Sequence, residues 1–147
     1  MSEKKIKNVF VDGPITPEFV AKSITSHAAK NEIGAHSIFL GQIRNDLING
    51  QHVVAIDYSV YREMADEKFH DIREDAFKKY KLTCMHIYHS LGLVRVGEIS
   101  LFVFTSSEHR RDAIDACSDI VDRIKKEAPV WGKEIFENED FQWKINH

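Results

Sequence analysis

Apolar residues along this chain follow two periods. From residue 113 to 124, Ala113, Ile114, Ala116, Cys117, Ile120, Val121 and Ile124 recur at steps of three and four, the spacing of one helical face. Thr105 with Glu108 fits a capping box, with Ser106 or Ser107 as alternative caps. Pro129 closes the helix, having no N–H to donate and disfavouring helical geometry at Ala128. The same period predicts a helix over about 62–81 through Ala65, Phe69, Ile72, Ala76, Phe77 and Tyr80. A shorter helix over 17–29 carries Phe19, Val20 and Ile24, with Thr16 as its cap and Pro17 at its first position.

Between these helices the pattern changes to that of strands. Residues 6–11 read as a strand closed by Asp12-Gly13-Pro14, and 35–43 as a strand apolar on both faces, hence expected to be buried. Asn49-Gly50 predicts a hairpin into an alternating strand over 53–61, with Val54, Ile56, Tyr58 and Val60 on one side. Strands over 82–90 and 98–106 follow, separated by a loop over 92–97. From residue 135 on, the chain is mixed and aromatic (Phe136, Phe141, Trp143), a tail suited to covering a neighbouring subunit. The order β-α-β-β-α-β-β-α predicts an α+β fold, its helices covering one face of a mostly antiparallel sheet, with exposed edges that favour a homodimer.

Charge placement on the 113–124 helix adds chemistry. Asp112, Asp115, Asp119, Asp122 and Lys126 gather opposite the apolar stripe, whereas Lys125 shares a row with Ile114 and Val121 at its edge. Asp122 is positioned to pair with Lys126. Lys125 either snorkels to water or meets an anion. Arg110 also projects to the apolar side. His109, Arg110 and Arg111 stand at a helix start, where the macrodipole is already positive, a combination that suits an anion site.

At 147 residues, 43% hydrophobic and 29% charged, the chain suits one domain over 1–147 with a real core. A net charge of −3 argues against a nucleic-acid surface. No apolar run approaches the roughly 20 residues that span a bilayer, and the charged start lacks a secretory pattern. Cys84 and Cys117 make neither a zinc spacing nor a disulfide framework, and Cys117 reads as a buried thiol. His86 and His89 fall on opposite faces of one strand and cannot share a metal. The expectation is a cytoplasmic protein with no metal, no cofactor, no nucleic acid and no membrane.

Four ordered segments resemble a known family. FLGQIRN (residues 39–45) is similar to a Phe-x-Gly-x-x-Arg segment, and IDYSVYREMADEK (56–68) to a Leu-Glu-Tyr-x-x-Tyr-x-x-Met-Ala block. GLVRVGEISLFVFTSSEHRRDAIDA (92–116) resembles a Gly-x-Leu-x-x-Gly-Glu strand leading into Ser-Ser-x-His-Arg. IKKEAPVWGKEIF (124–136) resembles a Leu-Lys-x-x-x-Pro-Ile-Trp-Lys-Lys-Glu tail. Together these resemble the large, catalytic subunits of molybdopterin synthase.

The resemblance implies an α/β-hammerhead fold and a homodimer within a heterotetramer, with residues 137–147 at a dimer or partner interface. It implies a small ubiquitin-like sulfur-carrier subunit, whose C-terminal Gly-Gly thiocarboxylate donates sulfur to cyclic pyranopterin monophosphate and builds the dithiolene. By matched position, Lys125 and Lys133 would be catalytic. Phe39, Gln42, Arg44, His109, Arg110, Gly132 and Glu134 would bind substrate. One position departs: the first lysine after the tryptophan is here Gly132, so either Lys133 reaches in with a shifted backbone, helped by glycine's flexibility, or that role is partly lost. The alternatives are a non-catalytic paralogue that binds the carrier without turnover, and an unrelated phosphate-binding enzyme.

Overall fold

The computed structural model describes residues 7–145. Along it run β1 (Phe10–Asp12), α1 (Pro17–Ser26), β2 (Ala35–Gln42), β3 (Leu47–Ile48), β4 (Gln51–Val60), α2 (Arg62–Lys79), β5 (Cys84–Arg95), β6 (Ile99–Ser107), α3 (Arg110–Glu127), β7 (Val130–Phe136) and β8 (Phe141–Trp143). The sheet order is β2-β6-β5-β4-β7-β8 with antiparallel neighbours, while β1 adds parallel to β5 and β3 pairs with β4. This is an α+β fold on a mostly antiparallel sheet. Among the described residues no helix is long and apolar enough to cross a membrane.

Strand alternation in β6 explains how the helices are placed. Leu101 and Val103 join Met85 and Ile87 under Ala65, Phe69 and Ile72 of α2 and Ala116, Ile120 and Ile124 of α3. Phe102 and Phe104 point the other way, onto Ile15, Val20 and Phe19. Helices therefore cover both faces of the sheet, not the one face expected. An apolar run such as ISLFVF has two buried sides and requires this. A smaller third cluster of Ile43, Val53, Ile56, Val94 and Phe136 fills the junction between β4, β5 and β7.

Four local expectations change. β2 is an edge strand, and Ile38 and Leu40 remain 37% and 41% exposed, so its second apolar face is uncovered within the chain. β4 shifts register between Val53 and Ala55, which leaves Val54 exposed while Ile56 is buried and breaks the one-sided set. β5 runs on through Gly92 to Arg95, where a loop was expected, because β6 pairs its first half and β4 its second. β6 extends to Ser107, so the cap of α3 falls on His109 without a side-chain cap bond. Thr105 is not a capping residue: its hydroxyl donates to the Ala113 carbonyl at 2.7 Å.

Other elements lie where the pattern places them. Thr16 Oγ1 accepts from Phe19 N–H at 3.1 Å, and Asn49 and Gly50, with φ of 51° and 79°, turn the β3–β4 hairpin. Ile6, expected in the first strand, lies outside the described residues, and β1 begins at Phe10. The aromatic tail is in fact ordered as β8, paired with β7.

Candidate active site

At the end of β2 the chain turns past Ile43 and Arg44, opposite the last turn of α3 and the inner face of β7. These elements enclose a cleft of about 410 Å3 whose lining includes Phe39, Gln42, Arg44, Asp46, Tyr58, Ser100, Lys125, Glu134 and Lys144. A narrower slot continues from it between Tyr58, His89, Lys125, Gly132 and Lys144. Five of the expected site residues thus line one cleft, and Gly132 lines the adjoining slot.

The cleft is rich in positive charge. Lys125 reaches solvent at the mouth, while the surrounding protein partly desolvates its ammonium. Desolvation lowers its pKa below 10.5, and the charges of Lys144 and Arg44 lower it further. Arg44 is held by Asp46, with Nε and Nη2 each 3.3 Å from a carboxylate oxygen. The buried Glu134 accepts a hydrogen bond from Gln142 Nε2 at 3.1 Å. Among the described residues no carboxylate forms an ion pair with Lys125 or Lys144. The Asp46 and Glu134 carboxylates line the same cleft, but Asp46 is paired with Arg44 and Glu134 is bonded to Gln142. This leaves two ammonium groups outside any ion pair among the described residues and suits the cleft to an anion.

His89 forms the inner wall of the slot. Its Nδ1–H donates to the Ser90 carbonyl at 2.8 Å, and burial, reinforced by the charge on Lys125, lowers its pKa to about 4. The unfolded chain therefore takes up a proton near pH 6.5 that the folded chain refuses until about pH 4, so stability falls as pH drops through that window. The His89 share is on the order of 3 kcal/mol. His89→Gln is expected to flatten the fall in denaturation midpoint between these pH values; an unchanged slope would show that His89 does not carry this share.

The remaining expected residues lie elsewhere. Lys133 is not in the cleft: its ammonium stands 4.4 Å over the Phe141 ring and 5.8 Å over that of Trp143. The pairing Tyr58↔Gly132, Asp57↔Lys133, Ile56↔Glu134 runs unbroken. Strand alternation thus turns position 133 away from the face that 132 and 134 share, and the register shows no shift at these positions. His109 and Arg110 are exposed at the opposite end of α3, about 22 Å from Lys125 at 1.5 Å per residue. Lys144, which also lines the cleft, carries no signal in the mixed, aromatic tail; the pairing of β8 with β7 is what sets Gln142 and Lys144 beside Glu134 and Gly132.

Two other groupings surround the site without joining it. A concavity of about 170 Å3 is lined by Phe69, His70, Arg73, Met85 and His86, and includes none of the expected residues. Beside it the fold gathers His27, Cys84 and His86, whose ligand atoms lie within 4.8 Å of one another, a grouping invisible in the spacing. Hydrogen bonds occupy these atoms. His27 Nδ1–H donates to Ser23 O at 2.7 Å, His86 Nε2 meets His27 Nε2 at 3.0 Å, and Lys30 donates to Cys84 Sγ at 2.8 Å. Burial and the nearby charges of Lys7, Arg73 and Lys30 lower the His86 pKa to about 4, surroundings that repel a cation.

Comparison with known proteins bears on this geometry. The family described as MoaE protein matches residues 14–127. The molybdopterin synthase catalytic subunit of Thermoplasma volcanium is 36% identical over 120 residues, covering 82% of this chain and 87% of that one. The human protein of the same name is 37% identical over 113 residues, 77% of this chain and 59% of its own. Among solved structures, molybdopterin synthase from Staphylococcus aureus superposes with a TM-score of 0.80 at 28% identity, covering 93% of this chain and 96% of that one. A complex of subunits 1 and 2 of molybdopterin-converting factor from Helicobacter pylori gives 0.77 at 19% identity, over 91% and 87% of the two chains, a likeness of fold. With 114 consecutive positions matched and these relatives spanning most of its length, the chain belongs to the MoaE protein family.

Proposed function

We propose that the chain is the catalytic subunit of a molybdopterin synthase, and that the cleft between β2, α3 and β7 is where sulfur is transferred. The observation that carries this reading is the convergence of Phe39, Gln42, Arg44, Lys125 and Glu134 on one cleft in a member of this family. The donor is the C-terminal thiocarboxylate of a small carrier subunit, and the acceptor is cyclic pyranopterin monophosphate. Sulfur bonds to a substrate carbon while that carbon's oxygen departs protonated, and water then cleaves the thioester, leaving a thiolate on the pterin and a carboxylate on the carrier. Both reactants bring negative charge, which the cations of the cleft receive. Lys125, with its lowered pKa, is the proton-transfer group. Phe39 and Gln42 line the pterin side, and Glu134, tied to Gln142, fixes the cleft wall.

His109 and Arg110 lie too far along α3 to reach this cleft in the same chain, so in this reading a second copy supplies them. β2 is the open edge: its start hydrogen-bonds beside the head of α3, through Gly34 N–H to Ser107 O, and its end borders the cleft. Two copies paired antiparallel along β2 about a two-fold axis would bring each α3 head to the other's cleft and cover Ile38 and Leu40. The exposed Trp131, Phe141 and Trp143 on the outer face of the β7–β8 hairpin are where we place the partner contact expected of the tail. We assign the reaction to the cytoplasm.

The test is reconstitution. Purified protein, thiocarboxylated carrier and cyclic pyranopterin monophosphate are mixed, and molybdopterin is measured as its fluorescent oxidation product. Product above a carrier-only control is expected. Stable carrier binding without product would favour the non-catalytic alternative instead.

A further inference from the structure

We infer that Lys144 is a second catalytic lysine of the cleft, binding the thiocarboxylate of the sulfur donor beside Lys125. The inference rests on the synthase reading, and it concerns a residue beyond the stretch that the family match covers, which ends at residue 127.

Three observations place the ammonium there. First, β7 and β8 pair as Lys133↔Trp143 and Glu134↔Gln142, and Lys144 N–H donates to the Gly132 carbonyl at 2.8 Å. Side chains 132, 134, 142 and 144 therefore share the face that forms the cleft, and Lys144 lines both the cleft and the slot behind it. Second, Gly132 leaves this space open. A Cβ there would stand 2.9 Å from Ile56 Cγ2 and 3.4 Å from Tyr58 Cε1, with Lys144 Cβ already 3.7 Å away. Position 132 has no room for a side chain, and the neighbouring strand supplies one across it. Third, Lys125 and Lys144 face one space without a carboxylate partner among the described residues, and the charge of Lys144 is one cause of the lowered proton affinity of Lys125.

Such a pair suits the donor. A thiocarboxylate spreads one negative charge over sulfur and oxygen. Lys144 binds that charge, while Lys125, whose proton affinity is lowered, is left to move the proton. The expected pair of lysines is therefore complete within this chain, with its second member contributed from residue 144 and not from 133.

Lys144→Met and Lys144→Arg test this in the full chain. The first measurement needs no turnover: the Lys125 side chain is titrated by 13C NMR in the protein alone. Its midpoint lies below 10.5 in the wild type and is expected to rise in Lys144→Met, because a neighbouring positive charge is gone. A midpoint that does not move overturns the proposal whether or not product forms. In the reconstituted assay, Lys144→Met is expected to slow product formation about tenfold or more, with the alkaline shift repeated in its pH profile, and Lys144→Arg to recover most of the rate. Wild-type turnover in Lys144→Met also overturns the proposal. If the wild type makes no product, the synthase reading fails by itself, and the titration still decides whether Lys144 acts on Lys125.

Discussion

Lys125→Ala is expected to reduce molybdopterin formation by about a hundred- to ten-thousandfold, the range for loss of a group that transfers a proton in the transition state. The argument starts from position. Lys125 sits on the last turn of α3 at the edge of a buried stripe, where desolvation and the charges of Lys144 and Arg44 lower its pKa. Its ammonium has no acidic partner among the described residues, so its removal breaks no ion pair. Folding stability and carrier affinity should therefore survive, and the loss should appear in turnover. Lys125→Arg separates two roles. Arginine keeps the charge but does not release its proton, so it stays inactive if Lys125 moves a proton and recovers activity if charge alone matters. The pH limb due to Lys125 should fall below the 10.5 of an unperturbed lysine. Wild-type turnover in Lys125→Ala would remove this residue from the mechanism.

Phe102→Ala is expected to cost about 3–5 kcal/mol of stability, the range for truncating a buried aromatic ring. Phe102 is fully buried between α1 and the sheet. Its ring meets Phe19 edge-on at 6.3 Å, stacks on Tyr88 at 5.7 Å and lies 6.0 Å from Phe104. These contacts hold α1 to the face of the sheet opposite α2 and α3. The loss should appear as a lower urea midpoint together with faster amide exchange in α1. A midpoint like that of the wild type would mean that α1 does not form this second layer.

Much of this architecture is written in local patterns. The three- and four-residue spacing of Ala113 to Ile124, of Ala65 to Ala76 and around Val20 sets the three helices, because each needs one apolar face against the sheet. Thr16 and Asn49-Gly50 work through their immediate neighbours, so their roles are legible without any tertiary knowledge. The odd placement of Lys125 was legible for the same reason, since a helix fixes the direction of every side chain relative to its stripe.

What depends on distant partners was not legible. An apolar strand does not say whether its second face is covered: β6 has α1 there, while β2 stays open at an edge. A capping box can be spelled by Thr105 and Glu108, yet the pairing of β6 with β2 and β5 carries the strand past it to Ser107. Lys133 and Lys144 are the sharpest case. Read along the chain, Lys133 neighbours the expected position; in the folded sheet, a period of two turns it outward onto Phe141 and Trp143. By itself the sequence determined the helices, the turns, the family resemblance and the lysine on the helix edge, all set by neighbours within a turn or two. The tertiary structure decided which strands have two covered faces and that Lys144, not Lys133, lines the cleft, because strand pairing joins residues that the chain keeps apart.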